Sequence, residues 1–336
     1  MTPTNTLASL DSLPAAKAEA EPGRRFRGAA REPLADLLRL LDADGYRFVT
    51  ATPATHARVV SRPDRQRAGS IRDVLGWSLP FEREVLPGAI FDRLGAAGVL
   101  SKRTDGLFAS SVRVSSVHET LFLHSAFPTV DEFSVFLGPD SYRFADLIAA
   151  CKGRLPQGAA VLDYGAGGGV GGITAAQDLD GPHLTLADIN PDALLLSSLN
   201  AAFAGLRHAP VKVESPASVE GAFDLIVTHP PFMMDGDGRA YRDGGDLYGG
   251  QLSLDWTLGL LPKLKTGGKF IMHTGVSIVD GRDVLLERLE RDLPSSGFEW
   301  DYHELDPDIF GDELDKPPYR NVERIAAVGL CVERTG

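Results

Sequence analysis

A glycine cluster near the middle of the chain follows a short apolar segment and contains most of the residues that could do chemistry. Residues 161–173 read VLDYGAGGGVGGI, and Asp188 follows in the segment LADIN after one helix-length of chain. Glycines after a strand let the backbone turn sharply and approach a ligand, and the next helix offers unpaired N–H groups. An acid about 20 residues further on is placed to bind ribose hydroxyls. The pattern indicates a nucleotide-like cofactor.

The carboxylate of Asp163 distinguishes between two such cofactors. It is predicted to lie at the strand tip, where a negative charge repels a pyrophosphate and attracts a ligand ammonium. The residue therefore favours S-adenosyl-L-methionine over NAD. Asp188 has a second interpretation, as the N-cap of a helix that begins near Pro191.

A second segment, THPPF at 228–232, directly follows a predicted strand. Its two prolines fix the backbone, remove two N–H donors and leave carbonyl oxygens free to accept hydrogen bonds. Ligands of parallel sheets bind at the carboxyl ends of the strands, where this loop would lie. We predict that His229, Pro230 and Phe232 hold the acceptor of the reaction, with Phe232 stacking on a planar substrate.

The elements around these loops alternate between strands and helices, as in a parallel sheet with helical crossovers. Strands are predicted at 160–165, 183–189, 211–215, 223–230 and 269–275, with helices at 141–152, from 170, and at 191–204, 248–264 and 281–293. Two strands without a helix between them, 298–306 and 324–334, indicate an antiparallel final strand. The fold class is α/β, a doubly wound, seven-stranded Rossmann-like sheet.

The remainder of the chain divides into a tail and a smaller domain. Residues 1–22 are rich in Ala, Pro, Ser and Thr, which predicts a disordered tail. Residues 23–128 form the smaller domain, and residues 129–336 the catalytic domain. The smaller domain resembles a winged helix in outline, because predicted helices at 33–46, 70–77 and 88–96 precede strands at 107–116 and 119–125. Such modules bind DNA, mediate dimerisation, cover substrates or serve only as packing.

Residues 130–336 resemble the class I S-adenosylmethionine-dependent methyltransferases, especially the group with an Asn-Pro-Pro-aromatic motif. That group includes glutamine-N5 methyltransferases of release factors, ribosomal RNA guanine-N2 enzymes of the "methyltransferase small" type, and adenine-N6 enzymes. The resemblance rests on the glycine cluster, on THPPF and on the glycine-rich stretch 241–256. It implies a cofactor site made of Asp163, Tyr164, Gly165, Ala166, Gly167, Gly169, Asp188, Ile189, Asn190, Ser215 and His229.

Two residues depart from that family pattern. His229 stands where the family has Asn, and Ser215 stands where an acid is often found. A neutral histidine still has one acceptor nitrogen for an amine proton. Unlike Asn, it can also take a proton near neutral pH and act as a general base. The leading function is methyl transfer to a nitrogen of a protein side chain, nucleobase or small metabolite.

Three other functions remain open. A specialised-metabolite methyltransferase would use His229 as the base for an oxygen or ring nitrogen, or the site would perform other S-adenosylmethionine chemistry. A DNA-binding regulator would sense the cofactor through a decayed catalytic domain. An NAD-dependent oxidoreductase would use the Gly167–Gly169–Gly172 spacing as a dinucleotide site.

Composition narrows the partners. The net charge of −12 falls in residues 151–336, since residues 1–150 carry 18 basic and 18 acidic residues. An acidic catalytic half disfavours free nucleic acid as a substrate.

Two cysteines are too few for a disulfide framework and fit a reducing cytoplasmic setting. No apolar run is long enough to span a membrane. The histidines show no metal-ligand spacing, and we expect His273 to be a hydrogen-bonded interior residue and residues 311–319 to form a surface loop.

Overall fold

The computed structural model describes Phe26, residues 28–235 and residues 242–336. The predicted disordered tail, residues 1–22, lies outside these residues, as does Tyr241 at the start of the glycine-rich stretch.

Four helices open the described chain, and two antiparallel hairpins follow them. The helices are α1 (Arg31–Ala43), α2 (Pro53–Val60), α3 (Ile71–Leu75) and α4 (Gly88–Ala96). The first hairpin pairs β1 (Leu100–Lys102) with β2 (Phe108–Ser110), and the second pairs β3 (Val112–Val117) with β4 (Thr120–Ser125). Helix α2 was not predicted, although the Thr52 side chain caps it and Pro53 occupies its first turn. The winged-helix likeness stays a prediction.

A seven-strand sheet forms the centre of the remaining chain. Its strands are β5 (Ala160–Tyr164), β6 (His183–Asp188), β7 (His208–Lys212), β8 (Phe223–Thr228), β9 (Leu264–Val279), β11 (Phe298–Asp306) and β12 (Arg324–Arg334). They are arranged in the order β11-β12-β9-β8-β5-β6-β7, and a short β10 (Arg282–Asp283) pairs with β9. Strand β12 is antiparallel to both neighbours, whereas β9, β8, β5, β6 and β7 are mutually parallel. The predicted Rossmann-like sheet with an antiparallel final strand is confirmed.

Helices cover both faces of this sheet. They are α5 (Pro139–Cys151), α6 (Val170–Ala176), α7 (Pro191–Phe203), α8 (Gln251–Leu260) and α9 (Val284–Asp292). The strand predicted at 211–215 is displaced, because the observed edge strand β7 ends at Lys212. Most of its residues are exposed and it contains Pro210, so it lacks the apolar run of a central strand.

The N-terminal helices share a hydrophobic core with the second hairpin and with α7, one of the helices that cover the sheet. Helix α1 presents Leu34, Leu37, Leu38 and Leu41 on one face, and all four are fully buried. The same core contains Leu123 of the second hairpin and α7 residues such as Leu196 and Leu199. The second hairpin and α7 therefore pack as neighbours. The domain boundary at 128/129 stays a prediction.

The two cysteines are joined in the structure by one disulfide, which the sequence did not predict. Cys151 ends α5 and Cys331 lies in β12, with their Cα atoms 6.6 Å apart. A sequence separation of 180 residues gives no local signal for this pairing, which arises because α5 packs against the β12 side of the sheet.

Candidate active site

The glycine loop, residues 165–169, begins where β5 ends, at the carboxyl edge of the sheet. Gly165 has φ +73°, a left-handed conformation that side chains resist. A Cβ at Gly165 would lie 2.7 Å from the Trp256 ring, which packs edge-on against Tyr164. Gly165 N donates to Ala187 O over 2.8 Å, and Ala166 N donates to the same oxygen over 3.1 Å. The loop is therefore held at the tip of β6 with its backbone in a conformation that needs glycine.

Asp163 lies beneath this loop and does not face outward. Its side chain is 1% exposed, and Oδ2 accepts a 2.7 Å hydrogen bond from Gly172 N in α6. The helix approaches so closely that a Cβ at Gly172 would lie 2.8 Å from Asp163 Cβ. Burial raises the pKa of Asp163 to about 8, which favours the neutral carboxyl at pH 7. The prediction that its charge attracts a ligand ammonium is corrected: the side chain holds the end of β5 to α6.

Asp188 ends β6 beside the glycine loop. Its Oδ2 accepts from Gly167 N and its Oδ1 from Asn190 N, both over 2.8 Å. The N-cap of α7 is Asn190, whose side chain accepts from Asp192 N, so the N-cap interpretation of Asp188 is wrong. Burial raises the pKa of Asp188, while hydrogen bonds from the backbone N–H groups of Asn190, Gly167 and Ile189 oppose this effect. The partly exposed carboxylate still has lone pairs for a ligand hydroxyl.

Ile189, Asn190 and Ser215, three residues of the implied cofactor site, occupy different positions. Ile189 is 51% exposed although it is apolar, and it adjoins Asp188 at the loop edge. Asn190 is committed to the helix cap, and its Nδ2 donates to Phe133 O over 3.0 Å. Ser215 lies after β7 and contacts Ser218 Oγ at 3.2 Å. The exposed side chain of Ile189 offers an apolar surface on this edge of the sheet.

Residues 229–232, which are predicted to hold the acceptor and are called the acceptor loop here, continue directly from β8, beside the glycine loop. Thr228 Oγ1 donates to Tyr164 O over 2.7 Å and joins the ends of β8 and β5. His229 is partly buried, and burial lowers its pKa to about 4. Its ring lies nearly parallel to Phe232, with centroids 5.9 Å apart. At neutral pH the imidazole is therefore uncharged and can accept one hydrogen bond.

Phe232 is a packing residue, which corrects the prediction that it stacks on a substrate. It is 9% exposed, and a Cβ at Gly275 would lie 2.3 Å from its ring. Since Gly275 in β9 has no side chain, the phenyl ring fills that space and also contacts Phe310. The ring is thereby part of a core beneath the loop and supports His229.

The segment predicted as a surface loop, residues 311–319, is in part a support for the acceptor loop. Tyr319 is 1% exposed, and its hydroxyl accepts a 2.7 Å hydrogen bond from Met234 N. Arg242 Nη2 lies 2.6 Å from Glu313 Oε1, a second contact between the two segments. The surface-loop prediction is wrong for Tyr319, because the fold brings this second Pro-Pro-aromatic segment under the first.

The glycine-rich stretch after the acceptor loop packs directly on the loop backbone. A Cβ at Gly249 would lie 2.3 Å from Phe232 O, and one at Gly244 would lie 1.8 Å from Gly249 O. Side chains at these positions would displace the acceptor loop. This close backbone contact gives a physical reason for the glycines that resemble the family segment.

His273 is a further residue at this site that sequence reasoning misjudged. It is fully buried, and neither ring nitrogen has a hydrogen-bond partner among the described residues, so the prediction of a hydrogen-bonded residue is wrong. Its ring meets that of His229 edge-on, with centroids 4.7 Å apart. Burial lowers its pKa well below the usual range, and the neighbouring His229 adds to this effect. Strands β8 and β9 are neighbours with Thr228 opposite Met272, so His229 and His273 each follow a paired residue. A histidine directly after each of these two positions was the signal in the sequence that the two rings could meet.

Replacing His273 with leucine is expected to stabilise the protein, because leucine has a similar volume and no unpaired polar atoms. The gain at pH 7.5 should be about 1 kcal/mol. It should grow by roughly 1.4 kcal/mol per pH unit below about 6.5, where the unfolded imidazole takes a proton that the folded one excludes. Denaturant unfolding at pH 7.5 and 5.5 measures both effects. His303→Leu, at an exposed position, is the control, and a destabilised His273→Leu would contradict the prediction.

The comparisons with known proteins concern the part of the chain that contains this site. Residues 147–241 match the family model of the methyltransferase small domain. The release factor glutamine methyltransferase of Koribacter versatilis is 32% identical over 133 residues, which are 36% of this chain and 48% of that protein. The ribosomal RNA small subunit methyltransferase C of Actinobacillus pleuropneumoniae is 40% identical over 87 residues, 26% of each chain. The solved structure of M. jannaschii TYW2 in complex with AdoMet is 17% identical, with a TM-score of 0.42, over 67% of this chain and 87% of that one.

Residues 147–241 therefore form a methyltransferase small domain, within the class I S-adenosylmethionine-dependent methyltransferases. The predicted group and its cofactor are confirmed for this domain. The chain spans about half the length of the release factor relatives, 48% and 55% of two of them. The activity of the whole protein is accordingly proposed below.

Two other kinds of site are absent from the described residues, 26, 28–235 and 242–336. No helix in them combines the length and the apolar character needed to cross a membrane. No group of three or more His, Cys, Asp or Glu side chains in that part of the chain could hold a metal ion.

Proposed function

We propose that this protein transfers a methyl group from S-adenosyl-L-methionine to a nitrogen atom of an acceptor. The observation that carries the proposal is the adjacency of two loops: Thr228 bonds the carbonyl of Tyr164, so the acceptor loop starts beside the glycine loop. The glycine loop, the Asp188 carboxylate and the exposed Ile189 side chain fit the methionine, ribose and adenine parts of the donor. The donor supplies the activated methyl carbon when it is bound.

His229 is proposed to accept a hydrogen bond from the acceptor amine. With a pKa of about 4 its imidazole is neutral at pH 7 and is a weak base, so it suits an amine hydrogen better than a group that must be deprotonated. Pro230 and Pro231 lack N–H donors, which leaves the loop carbonyls as further acceptors. Two such contacts orient the nitrogen lone pair toward the donor, and alignment is the main task of the protein in this displacement.

The acceptor class is a protein side chain, a nucleobase or a small metabolite. Two of the relatives are named for a release factor glutamine and for ribosomal RNA. Residues 151–336 contain 28 acidic and 16 basic residues, which disfavours bare RNA as the partner. An oxygen or ring-nitrogen acceptor remains an outcome of the experiment below.

Calorimetric titration with S-adenosylmethionine and with NAD tests the donor. Binding of S-adenosylmethionine alone supports the proposal, and binding of NAD alone overturns it. Methyl-tritiated donor is then incubated with protein, RNA and small-molecule fractions of a cell extract, and mass spectrometry locates the methyl group. Methylation of nitrogen is the expected result, whereas label on oxygen or carbon would contradict it. Turnover with any acceptor would also exclude a purely cofactor-sensing regulator.

The pH dependence of kcat/KM distinguishes two roles for His229, a hydrogen-bond acceptor and a general base. We expect the ratio of kcat/KM between the wild type and His229→Asn to stay constant from pH 5.5 to 8, because the imidazole is neutral throughout this range. Titration of the acceptor itself cancels in this ratio. A general base with an ordinary pKa near 6.5 would instead make the ratio fall up to tenfold per pH unit below that value, and such a fall would contradict the proposed role.

A further inference from the structure

Asn200 of α7 is a fully buried amide whose three hydrogen bonds connect two distant parts of the chain. Its Nδ2 donates to Gly168 O over 2.8 Å and to Leu123 O over 3.0 Å. Its Oδ1 accepts from Leu123 N over 2.8 Å. One side chain thus binds both the glycine loop and the backbone of strand β4 in the N-terminal part of the chain.

The neighbouring packing brings the second hairpin and the glycine loop into close contact around Asn200. A Cβ at Gly168 would meet Leu123 O at 3.8 Å and Asn200 Nδ2 at 4.0 Å, so hairpin and loop approach each other closely. Leu123 is buried in the same core as Leu196 and Leu199, one turn or less from Asn200 on α7. Without the amide, Gly168 O and both backbone groups of Leu123 would be left without these bonds in a dry environment.

We propose that Asn200 is a positioning residue for the methyl-donor loop, and that it makes the β3–β4 hairpin a structural part of the cofactor site. This inference rests on the proposed function, because the loop is taken to bind the methionine part of the donor. Gly167 and Gly169 on either side of Gly168 have φ values of +51° and +81°. Glycines restrict the backbone weakly, so the loop depends on hydrogen bonds from its surroundings to hold one conformation. Ala187 and Asp188 supply such bonds at residues 165–167, and Asn200 supplies one to Gly168 O from α7. The hairpin holds the amide in its orientation.

Asn200→Asp is the sharpest variant, because it keeps an oxygen that can accept from Leu123 N and removes both donors. Ser198→Ala is the matched control on the same helix, since the Ser198 hydroxyl bonds His208 on the side of β7 and not the glycine loop. If Asn200→Asp does not fold by circular dichroism, Asn200→Ser replaces the amide without adding a charge.

Calorimetric titration with S-adenosylhomocysteine tests the inference on the full chain. We expect Kd to rise by about tenfold to a hundredfold in the Asn200 variant at an unchanged stoichiometry of one, and to stay within about twofold in Ser198→Ala. A merely structural role would lower the stoichiometry, as part of the sample unfolds, and leave Kd unchanged. An unchanged Kd, with or without a lowered stoichiometry, would overturn the inference.

Hydrogen exchange followed by mass spectrometry provides a readout that does not depend on the cofactor. In the Asn200 variant, peptides that contain residues 120–125 and 165–169 should exchange faster than in the wild type, and exchange in β9 should be unchanged. If the wild type binds no S-adenosylhomocysteine, the proposed function fails, and exchange still decides the coupling. Equal exchange in both segments would refute the link between hairpin and loop.

Discussion

Asp188→Ala is expected to raise the Kd for S-adenosylmethionine by about 100-fold to 1,000-fold. The carboxylate is proposed to accept hydrogen bonds from the two ribose hydroxyls, and charge-assisted bonds contribute roughly 1.5–3 kcal/mol each. It also accepts from Gly167 N in the structure, so its removal releases the glycine loop. Isothermal titration calorimetry measures the affinity, and thermal unfolding shows that the variant is folded.

Two further variants make this first prediction specific. Asp188→Asn keeps one acceptor oxygen and should lose less affinity than Asp188→Ala. Glu214→Ala removes an exposed acid near the same edge of the sheet and should bind like the wild type. Equal affinities of Asp188→Ala and Glu214→Ala would mean that Asp188 has no part in donor binding.

His229→Ala is expected to lower kcat by about 100-fold to 1,000-fold while the Kd for S-adenosylmethionine changes by less than about threefold. The variant removes the acceptor that orients the amine, and positioned groups of this kind typically contribute factors of 10² to 10⁴. The glycine loop and Asp188 are untouched, so donor binding should survive. Steady-state transfer of a labelled methyl group to the acceptor identified above measures kcat.

The variant His229→Asn is the discriminating companion to His229→Ala. Asparagine restores a carbonyl acceptor and should retain activity within about tenfold of the wild type. Abolished turnover with intact donor binding would instead make His229 a general base. Loss of donor binding in both variants would show that the loop holds the cofactor and not the acceptor.

The local sequence signals predicted the frame of the site well. Apolar runs bounded by glycines or prolines located β5, β8 and β12 to within about two residues, because short runs of this kind favour buried strands. The edge strand β7 was misplaced because it has no such run. The absence of a helical pattern between residues 306 and 324 correctly indicated the antiparallel end of the sheet.

By itself, the sequence determined the class of fold and the place of the two loops, because these depend on residue types that act over a few neighbouring positions. Only the tertiary structure decided what the side chains do there. It buried Asp163 under α6, set His273 against His229, placed Tyr319 under the acceptor loop and joined Asn200 to two distant backbones. Those contacts form between residues up to about 90 positions apart, and no local pattern encodes them, since they exist only once the sheet has brought the segments together.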